Sequence, residues 1–169
     1  MLILGLDPGS VHTGFGLLER QGSTLKAVDA GRFSCPPGLA LPGRLALLAA
    51  ALSELLARRR PDLAVLESPF HGMNVHSLIV LAQARGALLA VVAGHGVEVK
   101  EYSPAEVKVA VTGSGRAGKD QVARMVRLLL ALDGRGALAS DATDALAVAI
   151  CGAQRLRMDR IAALQSAAE

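Results

Sequence analysis

Residues 2–6 form an aliphatic run that ends on Asp7 and a Pro8–Gly9 turn, and a second apolar run over 14–19 follows it. These read as two strands around a turn, and 25–33 makes a third, giving a meander. "SCPPG" breaks the pattern. Leu41, Leu45, Leu48, Leu52 and Leu55 then recur at helical spacing, with Arg44, Glu54 and Arg58 on the opposite side, until Pro61 stops the helix. "DLAVLE" is a fourth strand, and it too ends on an acid, Glu67. A strongly apolar helix over 77–93 leads to "VEVKEYS", a fifth strand. "SPAEVKVAV" starts a helix with Ser103 as N-cap and Pro104 in its first turn. The loop "TGSGRAG" opens another helix from Lys119 to about Leu132, and Ser140 caps a last one from Asp141 to about Gly152. Three hairpin-linked strands, then strands alternating with helices, predict a mixed five-stranded sheet flanked by helices, in the α/β class.

Four acids stand out against this pattern. Asp7 and Glu67 both close apolar strands, so parallel neighbouring strands bring both carboxylates to one sheet edge, where α/β proteins place their sites. In "SDATDALAVAI", Asp141 and Asp144 are three apart and share a helical face beside an apolar stripe that must pack on the sheet. Taken singly, Asp7 is ordinary Pro-Gly turn chemistry and the aspartate pair is ordinary helix-dipole chemistry. Taken together, four of only 15 acidic residues would repel one another and raise each other's pKa. A cation has to offset that repulsion, and all-oxygen ligands favour Mg²⁺ or Mn²⁺. His71 and His76 have no cysteine or acid at zinc-type spacing and read as surface-loop residues.

Composition narrows the class. With 169 residues, 51% apolar and 20% charged, the chain can build one sizeable core and is not disordered. Cys35 and Cys151 are too few for a disulfide framework and fit a reduced, cytoplasmic setting, and no basic-then-apolar leader opens the chain. The greasiest stretch is interrupted by Gln83 and Arg85 and reads as a buried or interface helix rather than a membrane span. The net charge of +3 points mildly to a polyanionic partner.

"GSGRAGKD" fits the nucleotide-binding loop G-x-x-x-x-G-K up to its last position, where Asp120 replaces the Ser or Thr that would hold Mg²⁺. The preceding segment is helical rather than a strand, which also argues against an ATPase loop. Glycine amides, a helix N-terminus and Lys119 nevertheless make an anion site. Lys108 and Lys119, two of four lysines in the chain, bracket it.

"ILGLDPGSVHTGFG", "LESPFHGMNVHSL", "LAQARG", "EVKVAVTGSGRAGKDQV" and "DATDALAVAI" resemble, in order, the RuvC family of bacterial Holliday junction resolvases. The resemblance implies an RNase H-like nuclease domain over 1–152, with 153–169 left as a mobile basic tail. It implies a homodimer that nicks two opposed strands of four-way junction DNA in recombination and repair, leaving 5′-phosphate and 3′-hydroxyl ends. Asp7, Glu67, Asp141 and Asp144 become the catalytic, metal-binding acids. They would hold two Mg²⁺ ions, replaceable by Mn²⁺, that activate a water and stabilise the departing oxygen. Some relatives carry histidine where this chain has Asp141. Phe70, Asn74, Arg85, Lys108 and Lys119 become DNA-binding residues. Phe70 would stack beside bases at the crossover, and the two lysines would hold backbone phosphates. The implied partners are the junction, a second copy of the chain and the RuvA–RuvB branch-migration complex, with no membrane. Three other readings compete. An actin-like ATPase needs two lobes, and 169 residues supply one. A non-catalytic branched-DNA binder does not need four acids. A resolvase-like nuclease of ribosomal RNA processing shares the first motif, but "QARG" and the Lys119 loop favour the junction enzyme.

Overall fold

The computed structural model describes residues 1–68, 74–132 and 138–166, and for 157–166 the helical backbone alone. β1 (Leu2–Asp7), β2 (His12–Gln21) and β3 (Thr24–Ser34) form the antiparallel meander. α1 (Leu41–Arg59) leads to β4 (Leu63–Glu67), and α2 (Val75–Gly94) to β5 (Glu98–Tyr102). β4 lies parallel to β1, and β5 parallel to β4, so the strand order is β3-β2-β1-β4-β5. α3 (Pro104–Thr112), α4 (Lys119–Leu129) and α5 (Ser140–Ser166) complete the chain. This is the mixed five-stranded sheet expected from the sequence.

Side-chain parity assigns the two sheet faces, because successive strand residues point to opposite sides. Ile3, Leu63 and Val65 pack with α3, α4 and α5, through residues such as Val107, Val122, Leu146 and Ile150. Leu4, Leu6, Ala64 and Leu66 pack on the other face against Leu48, Leu52, Leu88 and Val92 of α1 and α2. Asp7 has the parity of Ile3, and Glu67 that of Val65. Both therefore belong to the α5 face.

α5 lies unusually close to the sheet because glycines floor its groove. A Cβ on Gly5 would collide with the Ala145 carbonyl and come 2.7 Å from Ala149 N. One on Gly14 would collide with the Asp141 carbonyl. These obstacles are backbone, which cannot rotate away. Gly5→Ala and Gly14→Ala should each lower stability by about 1–3 kcal/mol or more, the usual cost of overpacking. Thermal unfolding checks this, and parent-like melting of both variants would show that α5 can lift without cost.

Several element ends differ from expectation, each for a local reason. α2 begins at Val75, two residues early, because the Asn74 side chain accepts a hydrogen bond from Ser77 N at 2.8 Å and caps it. α4 ends at Leu129, and Ala131 has a φ of 48° that no continuing helix can hold. α5 does not stop at Gly152 but runs to Ser166, so the first fourteen residues of the segment read as a tail are helical. Arg155 anchors that extension to Glu106 on α3 at 3.1 Å. α3 begins as predicted, with a reciprocal capping box between Ser103 and Glu106.

Candidate active site

The site sits at the C-terminal edge of β1 and β4. The Asp7 turn is fixed by Thr13, which is fully buried and donates its hydroxyl to the Gly9 carbonyl at 2.9 Å. Gly9 is required there, since a Cβ would strike the His12 carbonyl. The acid at the strand end is thus held by a locked loop.

A cleft of about 220 Å³ opens at this edge, lined by Asp7, Glu67, Lys108, Lys119 and Asp144, with Val107 and Val122 forming part of its apolar wall. Asp144 projects from the first turns of α5 and accepts an ion pair from Lys119 Nζ at 2.8 Å. The lysine is two-thirds exposed, so its ammonium stands at the mouth of the cleft. Asp141 lies one turn earlier and does not line the cleft. Its carboxylate pairs with Arg32 Nη1 at 3.2 Å. Asp7, Gly14 and Arg32 form one row across three strands, which places the arginine on the acidic edge. Sequence reading missed Arg32, although this register would have revealed it.

The electrostatics follow from crowding. Burial first, and then the Asp144, Glu67 and Asp141 carboxylates, together push the Asp7 carboxyl up from 3.8 to about 7, against the weaker opposing pull of Lys119. Glu67 is raised too, first by burial and then by Asp144, against the lowering influence of Lys108 and Arg85. Lys119 is raised by its contact with Asp144. The donor set is all oxygen and carries excess negative charge, which suits a hard divalent cation. Among the described residues, no three acidic, histidine or cysteine side chains converge on one point. Asp7, Glu67 and Asp144 share the cleft, where Lys119 holds Asp144, while Arg32 holds Asp141 outside its lining.

The DNA-facing residues expected from the sequence have mixed placements. Lys108 and Lys119 flank the cleft. Asn74 is exposed and its side-chain oxygen is engaged in capping α2. Phe70 and His71 lie outside the described residues. Arg85 is buried rather than at the cleft mouth. It is 7% exposed and approaches the sheet from the α2 face, where Nη1 donates to the Glu67 carbonyl and Nη2 lies 2.7 Å from Glu101 Oε1. Cys35 and Cys151 are both buried free thiols, and burial raises the Cys151 thiol to about 11, which keeps it unreactive.

Residues 3–152 match the family model of the crossover junction endodeoxyribonuclease RuvC. A RuvC from Alkalilimnicola ehrlichii is 50% identical over 149 residues, covering 88% of each chain. One from Bordetella pertussis is 46% identical over 153 residues, 90% of this chain and 83% of its own. Among solved structures, Thermus thermophilus RuvC superposes with a TM-score of 0.84 at 32% identity, covering 94% of this chain and 97% of that one. The same protein in complex with a Holliday junction substrate gives 0.84 at 30% identity. The yeast mitochondrial resolvase Ydc2, at 10% identity and a TM-score of 0.65, shares the fold.

Proposed function

Because the chain belongs to the RuvC family of crossover junction endodeoxyribonucleases, we propose that its acidic cleft hydrolyses phosphodiesters of four-way junction DNA. The observation that carries this reading is the cluster of Asp7, Glu67 and Asp144 in one cleft with two lysines, with Asp7 raised to about 7. A carboxylate group so crowded is poised for divalent cations. Asp7, Glu67 and Asp144 are the proposed holders of Mg²⁺, with Asp141 at the rim, and Mn²⁺ is an acceptable substitute for an oxygen donor set. When bound, such ions supply Lewis acidity for an attacking water and a departing oxygen.

The chain's own groups do the rest. Lys119 and Lys108 hold backbone phosphates at the cleft mouth, and Lys119 exchanges its Asp144 contact for phosphate oxygen as DNA enters. The apolar wall from Val107 and Val122 excludes bulk water and strengthens these charges. Cleavage should leave 5′-phosphate and 3′-hydroxyl ends. A nicked synthetic junction that a DNA ligase reseals without end repair supports this. Products that resist ligation, or faster cutting of structured RNA than of junction DNA, would overturn it.

A two-fold junction needs two such sites, and α2 offers the surface for a symmetric homodimer. Val75 is 73% and Ile79 52% exposed, and Ala82, Gly86 and Ala90 continue the exposed stripe along the helix. By length and composition α2 could cross a membrane, but Arg85 and its buried neighbours bind it to the sheet. Ile79→Glu should give a monomer at micromolar concentration by sedimentation and lose paired, symmetric nicking. A monomeric parent, or paired nicking by an obligate monomer, would count against the dimer. The RuvA–RuvB complex and a cytoplasmic site of action are further parts of this reading, supported by the family resemblance.

A further inference from the structure

We propose that Arg85 is a positioning residue for Glu67, gripping the end of β4 from the face opposite the cleft. The inference rests on the cleft being a metal-dependent nuclease site. Arg85 is the one arginine or lysine in the twenty residues of α2, and it is buried in the apolar layer between that helix and the sheet. A buried guanidinium is costly unless its donors are met, so its partners identify its work.

Those partners are the last residue of β4 and the last but one of β5. Nη1 donates to the main-chain carbonyl of Glu67, and Nη2 forms an ion pair with Glu101 Oε1 at 2.7 Å by charge and proximity, without hydrogen-bond geometry. Glu101 is the register partner of Leu66, hence it faces α2, as Leu66 does. The Glu67 carboxylate faces α5. One arginine therefore clamps the ends of β4 and β5 from behind, while the acid it steadies points forward into the cleft. Ser68 N donating to the Tyr102 carbonyl at 2.8 Å closes the same strand ends.

Outer partners of metal ligands typically change metal affinity or activity by 10–100-fold when lost. The planar fork matters here, because it reaches a carbonyl and a carboxylate at once. A lysine can satisfy only one of these well.

The test uses the full-length protein and three variants, Arg85→Met, Arg85→Lys and Glu101→Gln, the last altering a side chain 44% exposed. Mn²⁺ binding is read by electron paramagnetic resonance without DNA, junction affinity in EDTA, and kcat at a temperature where each variant is folded. The expected result is a fall of about tenfold or more in Mn²⁺ affinity and kcat for Arg85→Met, with junction Kd within about twofold. Arg85→Lys should recover part of the loss, and Glu101→Gln should show a smaller fall of the same kind. If Arg85→Met does not fold, the other two decide. Parent-like Mn²⁺ affinity and kcat in both would overturn the proposal, leaving Arg85 a stabilising residue only. A weakened junction Kd with a salt slope reduced by about 1 would make it a phosphate contact instead. A parent protein that binds Mn²⁺ but cuts no junction would refute the nuclease reading, while the Mn²⁺ arm still judges the clamp.

Discussion

Asp7→Asn should bind four-way junctions like the parent and cut them at least about a thousandfold more slowly, about 4 kcal/mol of lost transition-state stabilisation. The amide keeps the shape of the side chain and the Thr13-locked turn beneath it. It removes the charge that draws a cation into the cleft. Binding survives because Lys108 and Lys119 stand apart from Asp7's own side chain, and phosphate contacts supply most affinity for nucleic acid. The same substitution should also reveal the crowding. With metal absent, Asp7 keeps its proton in the folded chain to about pH 7, against 3.8 as its ordinary value. Between those values the unfolded chain releases the proton first, so this residue lowers stability as pH rises, and the full penalty holds above 7. Asp7→Asn lacks that penalty. In EDTA it should therefore be more stable than the parent at pH 8 by roughly 1–3 kcal/mol, with the gap closing near pH 4. Mg²⁺ should raise the parent's melting temperature and leave the variant's nearly unmoved. Thermal unfolding at the two pH values with and without Mg²⁺ checks each sign, and parent-rate cleavage would remove Asp7 from the site.

Lys119→Met should lower kcat by about a hundredfold to a thousandfold, the range for losing one charged donor aimed at developing negative charge. Lys119 is the group best placed for that task. It is exposed enough to meet phosphate, and its ammonium is already within 2.8 Å of Asp144. An exposed ion pair of this kind adds little to stability, so folding should hardly change. Junction affinity should weaken only by the share of one phosphate contact, with the salt slope falling by about 1. Lys119→Arg should keep the slope and recover part of the rate. A variant with parent kcat and reduced affinity would make Lys119 a tether alone.

Much of this was legible in the chain, and what was not has physical causes. Strand and helix order followed from period-2 and period-3.6 patterning. Asp7 and Glu67 could be paired because each ends an apolar run, and parity then put both on one face. Register was not legible, so Arg32 opposite Gly14 went unseen as the partner of Asp141. Depth was not legible either. "QARG" marked Arg85 as important, and a charged residue in an apolar helix reads naturally as a surface contact. Only the packing of α2 on the sheet turns it inward to the Glu67 carbonyl. The glycines at 5 and 14 looked like ordinary strand residues until α5 was seen resting on them. The end of α5 was misjudged because the basic composition after Gly152 suits a solvated tail, whereas Arg155 pairs with Glu106 and carries the helix on.

The most direct test is cleavage of a mobile synthetic four-way junction, beside a linear duplex of the same sequence, by the parent protein and by Asp7→Asn, in EDTA, Mg²⁺ and Mn²⁺. Paired nicks at symmetric positions of the junction, made by the parent with either metal and absent from the duplex, from EDTA and from Asp7→Asn, are the expected result. Cutting in EDTA, equal cutting of the duplex, or unimpaired cutting by Asp7→Asn would contradict a metal-dependent junction nuclease built on these acids.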